Sequence, residues 1–228
     1  MEAEHCERRP AMMKRVIIVC EGPTEKEFCQ EILLPHFQKL NITIEAPLIK
    51  QSGGGIVPWH FLKNQLVRHL SEGDAVVTTF IDYYGIKKSH EFPGWEASQR
   101  ATHNIDKARA LEEAMSNEIP DECRHRFVPH IQMHEFESLL FSDVDAFAKN
   151  FADDDLDLTK LRKVVNQFDN PEDINNSPTT APSKRILDAV KSYSKVLDGN
   201  CVAMDIGLDR MRQCCPHFNE WISELEKI

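Results

Sequence analysis

Up to about residue 143 the chain alternates short unbroken apolar runs with stretches whose apolar residues recur at helical spacing. Residues 15–20, R-V-I-I-V-C, hold four β-branched residues in a row and read as a strand buried on both faces. Pro23 then suits a first helical position, and Phe28, Ile32, Leu33 and Phe37 predict a helix over 25–40 that Pro35 kinks or shortens. Residues 42–49 alternate as a second strand. Gly53-Gly54-Gly55 opens a helix carrying Ile56, Trp59, Leu62, Leu66 and Leu70. Residues 75–81 form a third buried strand ending at Asp82, and a long loop over 83–98 leads to an Ala- and Glu-rich helix over 100–118. Residues 126–133 are a fourth strand, with a helix entered near Glu135. Beyond residue 143 the pattern is helical throughout, interrupted by an acidic run at 153–157 and a polar, proline-bearing loop at 169–182.

Strands alternating with helices predict an α/β fold: a roughly four-stranded, mainly parallel sheet between helices, with a helical C-terminal part. The expected organisation is a disordered leader over 1–13, an α/β core over 14–142 and a helical extension over 143–228 packed on it. The 228 residues are ample for a real core. No apolar run reaches the roughly 18–20 residues of a membrane span, and the charged start lacks the apolar stretch of a signal peptide. Seven cysteines without a C-x-x-C pair argue against structural zinc and a disulfide scaffold, and for reduced thiols in a cytoplasmic protein.

Charge narrows the function. Lys and Arg total 27 against 37 Asp and Glu, a net charge of −10, which disfavours coating nucleic acid or an anionic membrane by bulk electrostatics. It leaves room for a local site that handles phosphate through a metal ion. In open α/β sheets ligands gather at the carboxyl ends of the strands. Here those ends carry Glu21, Asp82 and Glu135, with Glu25 one helical turn past Glu21. Carboxylates gathered there repel one another unless a hard divalent cation such as Mg²⁺ (or Mn²⁺) relieves them. Singly, each has a plainer reading, as a helix cap or a turn residue. Their shared place at strand ends makes the group the best functional signal in the chain.

V-C-E-G-P-T-E at 19–25 resembles the first motif of the TOPRIM superfamily, in which a glutamate follows the first strand and precedes a glycine. F-I-D-Y-Y-G at 80–85 resembles its second motif, normally D-x-D. Several features together resemble domain-of-unknown-function family 4276: V-x-E-G-x-T-E, the glycine triplet, I-D-Y-Y-G with a later F-P-G, M-H-E-F-E-S-L-L-F, P-S-K-R at 182–185 and C-P-x-F-x-x-W at 215–221. The likeness spans nearly all of 14–225. It implies a TOPRIM-like core related to the nucleases of overcoming-lysogenization-defect type. By that resemblance Glu21 is a general acid/base or metal contact, Asp82 a metal ligand, and Glu25 the second glutamate of the nuclease branch. The chain departs at Tyr84, where the superfamily has its second aspartate, and a tyrosine stays neutral at pH 7. Glu135 and Glu137 are candidates for the missing oxygens: they share a face if their segment is extended and diverge if it is helical.

Lys184 and Arg185 stand at a helix start, where a cation is unfavourable unless a phosphate accompanies it, and the nuclease branch places a catalytic lysine near there. A solvated surface pair is an equally weighted reading. His130 and His134 are four apart beside Glu135 but fit neither H-E-x-x-H nor its inverse, so zinc hydrolysis is not expected. Trp59 and Trp221 read as core. Trp95, Tyr83 and Tyr84 either stack on a base or only order their loop. The expected function is Mg²⁺-dependent phosphodiester cleavage of DNA or RNA, with an ATPase partner and phage defence implied by the resemblance and a homo-oligomer left open. The rival is a non-catalytic TOPRIM-like module that binds an ATPase or nucleic acid.

Overall fold

A computed structural model describes residues 13–52, 55–174, 177 and 180–228. All but Met13 of the expected leader, and Gly53 and Gly54 of the triplet, lie outside these residues. Four rows of parallel strand make the sheet, in the order β2-β1-β3-β4: β1 Lys14–Cys20, β2 Ile42–Glu45, β3 Val76–Asp82 and β4 Phe127–Val128. β5 Ile131–Gln132 continues along the same side of β3. The fold is thus α/β with an open, mainly parallel sheet flanked by helices and followed by a helical C-terminal region.

Helices α1 Pro23–Phe28 and α2 Leu34–Gln38 are joined by a widened turn over Cys29–Leu33. The i→i−5 bond from Leu34 N–H to Cys29 gives the helical path a place to take Pro35, which has no N–H to donate. α3 Trp59–Ser71, α4 Trp95–Arg100, α5 Asn104–Asn117 and α6 Asp121–Arg124 follow. Beyond the sheet come α7 Phe147–Asn150, α8 Leu158–Val165, α9 Pro182–Ala189, α10 Leu197–Ile206, α11 Leu208–Cys214 and α12 Pro216–Glu226.

The two-residue period of β1 splits the core. Ile17 and Val19 pack with α3 and α5 residues such as Leu62, Leu66 and Leu111. Val16, Ile18 and Cys20 face the other layer, where Phe28 and Phe37 meet Phe136, Phe218 and Trp221. Trp59 and Trp221 are buried, as expected. The six described cysteines are free thiols. No helix among the described residues is long and apolar enough to cross a membrane.

Five local expectations are corrected: the helix expected from the glycine triplet starts only at Trp59 and leaves Ile56 ahead of it, and α4 takes up the end of the expected 83–98 loop. The second strand stops at Glu45, and only a single bridge at Leu48 prolongs it beside Cys20. The fourth is two short pieces, because Pro129 between them has no N–H for the ladder. The segment after Glu135 is a 3₁₀ run, Phe136–Ser142, rather than an α-helix or a strand.

Candidate functional site

β1 leads to β2 on one side while β3 leads to β4 on the other, so connections diverge between the two central strands. Such a switch point leaves a crevice at the strands' carboxyl ends. Glu21 and Asp82 stand there. The Asp82 N–H donates to Glu21 Oε2 at 2.9 Å, and Asp82 Oδ1 accepts from the Phe136 N–H at 3.0 Å. Asp82 therefore ties the end of β3 both to β1 and to the 3₁₀ run. Glu25 Oε2 accepts from the Gly22 N–H at 2.9 Å, the capping role of its plainer reading, while the residue stays 6% exposed beside the cleft.

The cleft encloses about 190 Å³ and is lined by Glu21, Gly22, Pro23, Thr24, Glu25, Gly55, Asp82, Glu137 and Lys195. Larger hollows of about 540 and 470 Å³ lie elsewhere, around Arg210 and Gln213; the first is lined by charges of both signs, Glu31, His36, Lys39, Asp209 and Arg210, and neither gathers four carboxylates as the cleft does. Lys195 Nζ is 2.9 Å from Glu137 Oε1 and 3.9 Å from Glu135 Oε1. Glu135 stands just behind the lining, its Oε2 accepting from the Ser183 N–H at 3.0 Å. The P-S-K-R segment thus reaches the site through its backbone. Lys184 itself is exposed and outside the lining.

Glu135 and Glu137 come together on Lys195, the outcome expected of an extended segment, although only Glu135 is extended. The backbone is extended at Glu135 and turns into the 3₁₀ run at Phe136, which aims both carboxylates at the same ammonium. His134 makes the turn with a left-handed φ of 62°. Tyr84 donates its N–H to the His134 carbonyl at 3.1 Å and lays its ring near the imidazole, at 5.5 Å between centroids. It lies outside the lining of the cleft, so it braces this turn instead of replacing an aspartate. Tyr83 and Trp95 are also taken up by the fold: the Tyr83 hydroxyl is 3.0 Å from Ser98 Oγ, and Trp95, the first residue of α4, packs on the core.

Crowding sets the electrostatics. Burial raises the Glu21 carboxyl above its usual range, with the Asp82 N–H and Lys195 opposing and Glu135 adding. Burial pushes Glu25 up to about 7, and Glu21 and Glu137 push the same way. Asp82 is held well above the ordinary aspartate range by burial, then by Glu25, Glu21, Glu137 and Glu135. Burial raises Glu137 against the pull of Lys195. Partial burial works against the Lys195 ammonium, but Glu137 and Glu135 hold it above its ordinary value.

Two features were not legible in the sequence. Lys195 belongs to no motif, and it faces the cleft because the turn before α10 packs beside α1, with Asn200 Nδ2 donating to the Thr24 carbonyl at 3.2 Å. Gly85 leaves room for the Glu21 carboxylate: a Cβ there would stand 2.8 Å from Oε1 and push it out of place. The I-D-Y-Y-G motif was a signal for that glycine, without its reason.

A family profile described as Domain of unknown function (DUF4276) matches residues 20–226, so the chain belongs to that family. No curated protein and no solved structure matches the chain.

Proposed function

We propose that this DUF4276 chain is a Mg²⁺-dependent (or Mn²⁺-dependent) nuclease of TOPRIM type that hydrolyses phosphodiester bonds in DNA or RNA. The observation that carries the reading is the joining of Glu21 and Asp82 at the switch point of the sheet, with Glu25 and Glu137 beside them and Lys195 opposite. The donor set fits a hard cation, being all carboxylate oxygen. Among the described residues no three of these carboxylates have ligand oxygens all within 4.8 Å of one another. That spacing suits an ion that keeps several of its waters better than one needing a closed protein cage. Glu21, Glu25, Asp82, Glu135 and Glu137 are the residues that would hold it. When bound, the ion supplies Lewis-acid polarisation of phosphate and a more acidic water.

In this reading Glu21, its proton affinity raised by burial, exchanges a proton with the attacking water or the leaving oxygen. Lys195 holds phosphate charge in the cleft. Lys184, on the exposed start of α9, contacts a polymer that runs past the cleft. An ATPase partner and phage defence belong to the same proposal as implications of the TOPRIM resemblance, and a cytoplasmic location as the reading of the cysteine pattern.

Cleavage of single- and double-stranded DNA and RNA with Mg²⁺ or Mn²⁺ tests it. Glu21→Gln and Asp82→Asn should each lower cleavage by at least about 100-fold. Their thermal midpoints should be unchanged or raised, since each removes repulsion. Undiminished cleavage by both variants would overturn the assignment. The second reading, a non-catalytic module, is favoured by Tyr84 in place of a carboxylate. Metal binding by the wild-type chain without cleavage of any polymer would select it.

A further inference from the structure

Away from the acidic cleft, three elements bring Glu112 of α5, His130 between β4 and β5, and His217 of α12 together. One ligand atom from each lies within 4.8 Å of the others, and His130 and His217 are 1% and 5% exposed. Trp221 lies flat on His130, 4.2 Å between centroids with 4° between planes, and His217 covers its surroundings at 5.0 Å. Water has little access.

The hydrogen-bond network fixes where protons sit. Gln132 Nε2 donates to Ser138 Oγ at 3.0 Å, which leaves Gln132 Oε1 facing His130 Nε2 at 3.4 Å. An amide oxygen only accepts, so the His130 proton belongs on Nε2 and Nδ1 presents a bare lone pair. That lone pair faces Glu112 Oε1 at 3.9 Å, too long for a hydrogen bond and acceptor against acceptor. His217 Nε2 stands 2.9 Å from the same oxygen, which the Ile131 N–H also holds at 2.7 Å. Two nitrogens and a carboxylate therefore converge on a point that a cation would satisfy and that the hydrogen bonds leave half-satisfied.

We propose that Glu112, His130 and His217 bind one zinc-class transition-metal ion that fastens α12 to α5 and to the edge of the sheet. Two imidazoles and a carboxylate are a borderline-soft set that selects zinc over Mg²⁺. Ligands about 2.0–2.2 Å from a tetrahedral zinc stand roughly 3.4 Å apart, between the two separations seen here. Water takes the fourth position. The Gln132 carbonyl behind His130 is the outer-shell acceptor that fixes the tautomer of a metal-bound histidine. On binding, zinc takes the Nε2 lone pair of His217 and the proton there is released to solvent. The site uses no cysteine, so the cysteine pattern that argued against structural zinc does not bear on it.

The test uses the full chain, treated with EDTA and shown to be folded by circular dichroism. Zn²⁺ should bind at one ion per chain and raise the midpoint by about 5–10 °C at roughly hundredfold excess over Kd. In the Asp82→Asn variant, whose carboxylate cleft is impaired for Mg²⁺, Zn²⁺ should still give that rise and Mg²⁺ should not. Co²⁺ should bind with the intense visible bands of a four-coordinate site. His217→Gln, which keeps a donor toward Glu112, should lose the stoichiometric uptake. Substoichiometric zinc, cobalt uptake without those bands, or full uptake by His217→Gln would each overturn the proposal. Should His217→Gln fail to fold, the wild-type stoichiometry and cobalt spectrum decide it.

Discussion

Glu25 has one carboxylate oxygen on the Gly22 N–H and the side chain held against Glu21 and Glu137, a position in which ionisation is costly. Its folded pKa is about 7 against an ordinary 4.5, so the folded chain holds a proton that the unfolded chain releases between those values. Its contribution to stability is complete at low pH and is lost as pH rises through about 7. In EDTA, the midpoint of Glu25→Gln minus that of wild type should therefore grow from pH 5 to pH 8 and level off above. Gln keeps the acceptor for Gly22, so the cap survives. A difference independent of pH would show that Glu25 ionises freely. The sequence showed that Glu25 shares a helical turn with Glu21. It did not show Glu137 closing over both, because that contact crosses more than a hundred residues.

At the scale of elements, α12 begins at Pro216 without a cap of its own, and a carboxylate from elsewhere supplies one. Glu172, wholly buried, accepts from the His217 and Phe218 N–H groups, each at 2.9 Å. Those are two of the donors that every helix start leaves unpaired. Glu172→Ala should cost about 2–4 kcal/mol by denaturant titration, since it strands two buried donors, and Glu172→Gln about half as much. An Ala variant within about 0.5 kcal/mol of wild type would mean that other groups cap the helix. In the sequence the C-P-x-F-x-x-W segment was a family motif in which only Trp221 was expected in the core. Nothing in it identified Glu172, which arrives from a separate turn. The fourth strand teaches the same lesson from the other side: its apolar run was legible as one strand, but the break at Pro129 was not foreseen and shows only in the two pieces that lie against β3.

For the whole molecule, the layer behind β1 is not closed by the first 142 residues. Val16, Ile18, Phe28 and Phe136 share one core with Ile186, Val202, Met211, Phe218, Trp221 and Leu225. A chain of residues 13–142 would expose that surface, and should be insoluble or lack the near-ultraviolet circular dichroism of fixed packing. A cooperative melt of that fragment would show that the C-terminal helices are an independent addition. Charge follows the same division. Residues 1–120 carry 14 basic and 17 acidic side chains, and residues 121–228 carry 13 and 20. Most of the excess acidity therefore lies in the half that completes the core, while the cleft gathers its carboxylates from both.

What the sequence determined by itself was local: β-branched runs make strands, helical spacing makes the covering layers, and their alternation makes the sheet parallel. From that order it followed that Glu21 and Asp82 would stand at strand ends. The tertiary structure alone decided that a 3₁₀ turn sends Glu135 and Glu137 to one lysine, and that the lysine is Lys195. It also gathered Glu112, His130 and His217 from three elements. The physical reason is range. Backbone propensity and apolar periodicity act over a few residues, whereas a cation among carboxylates, or a histidine pair on a glutamate, is set by packing between segments that the chain's order leaves far apart.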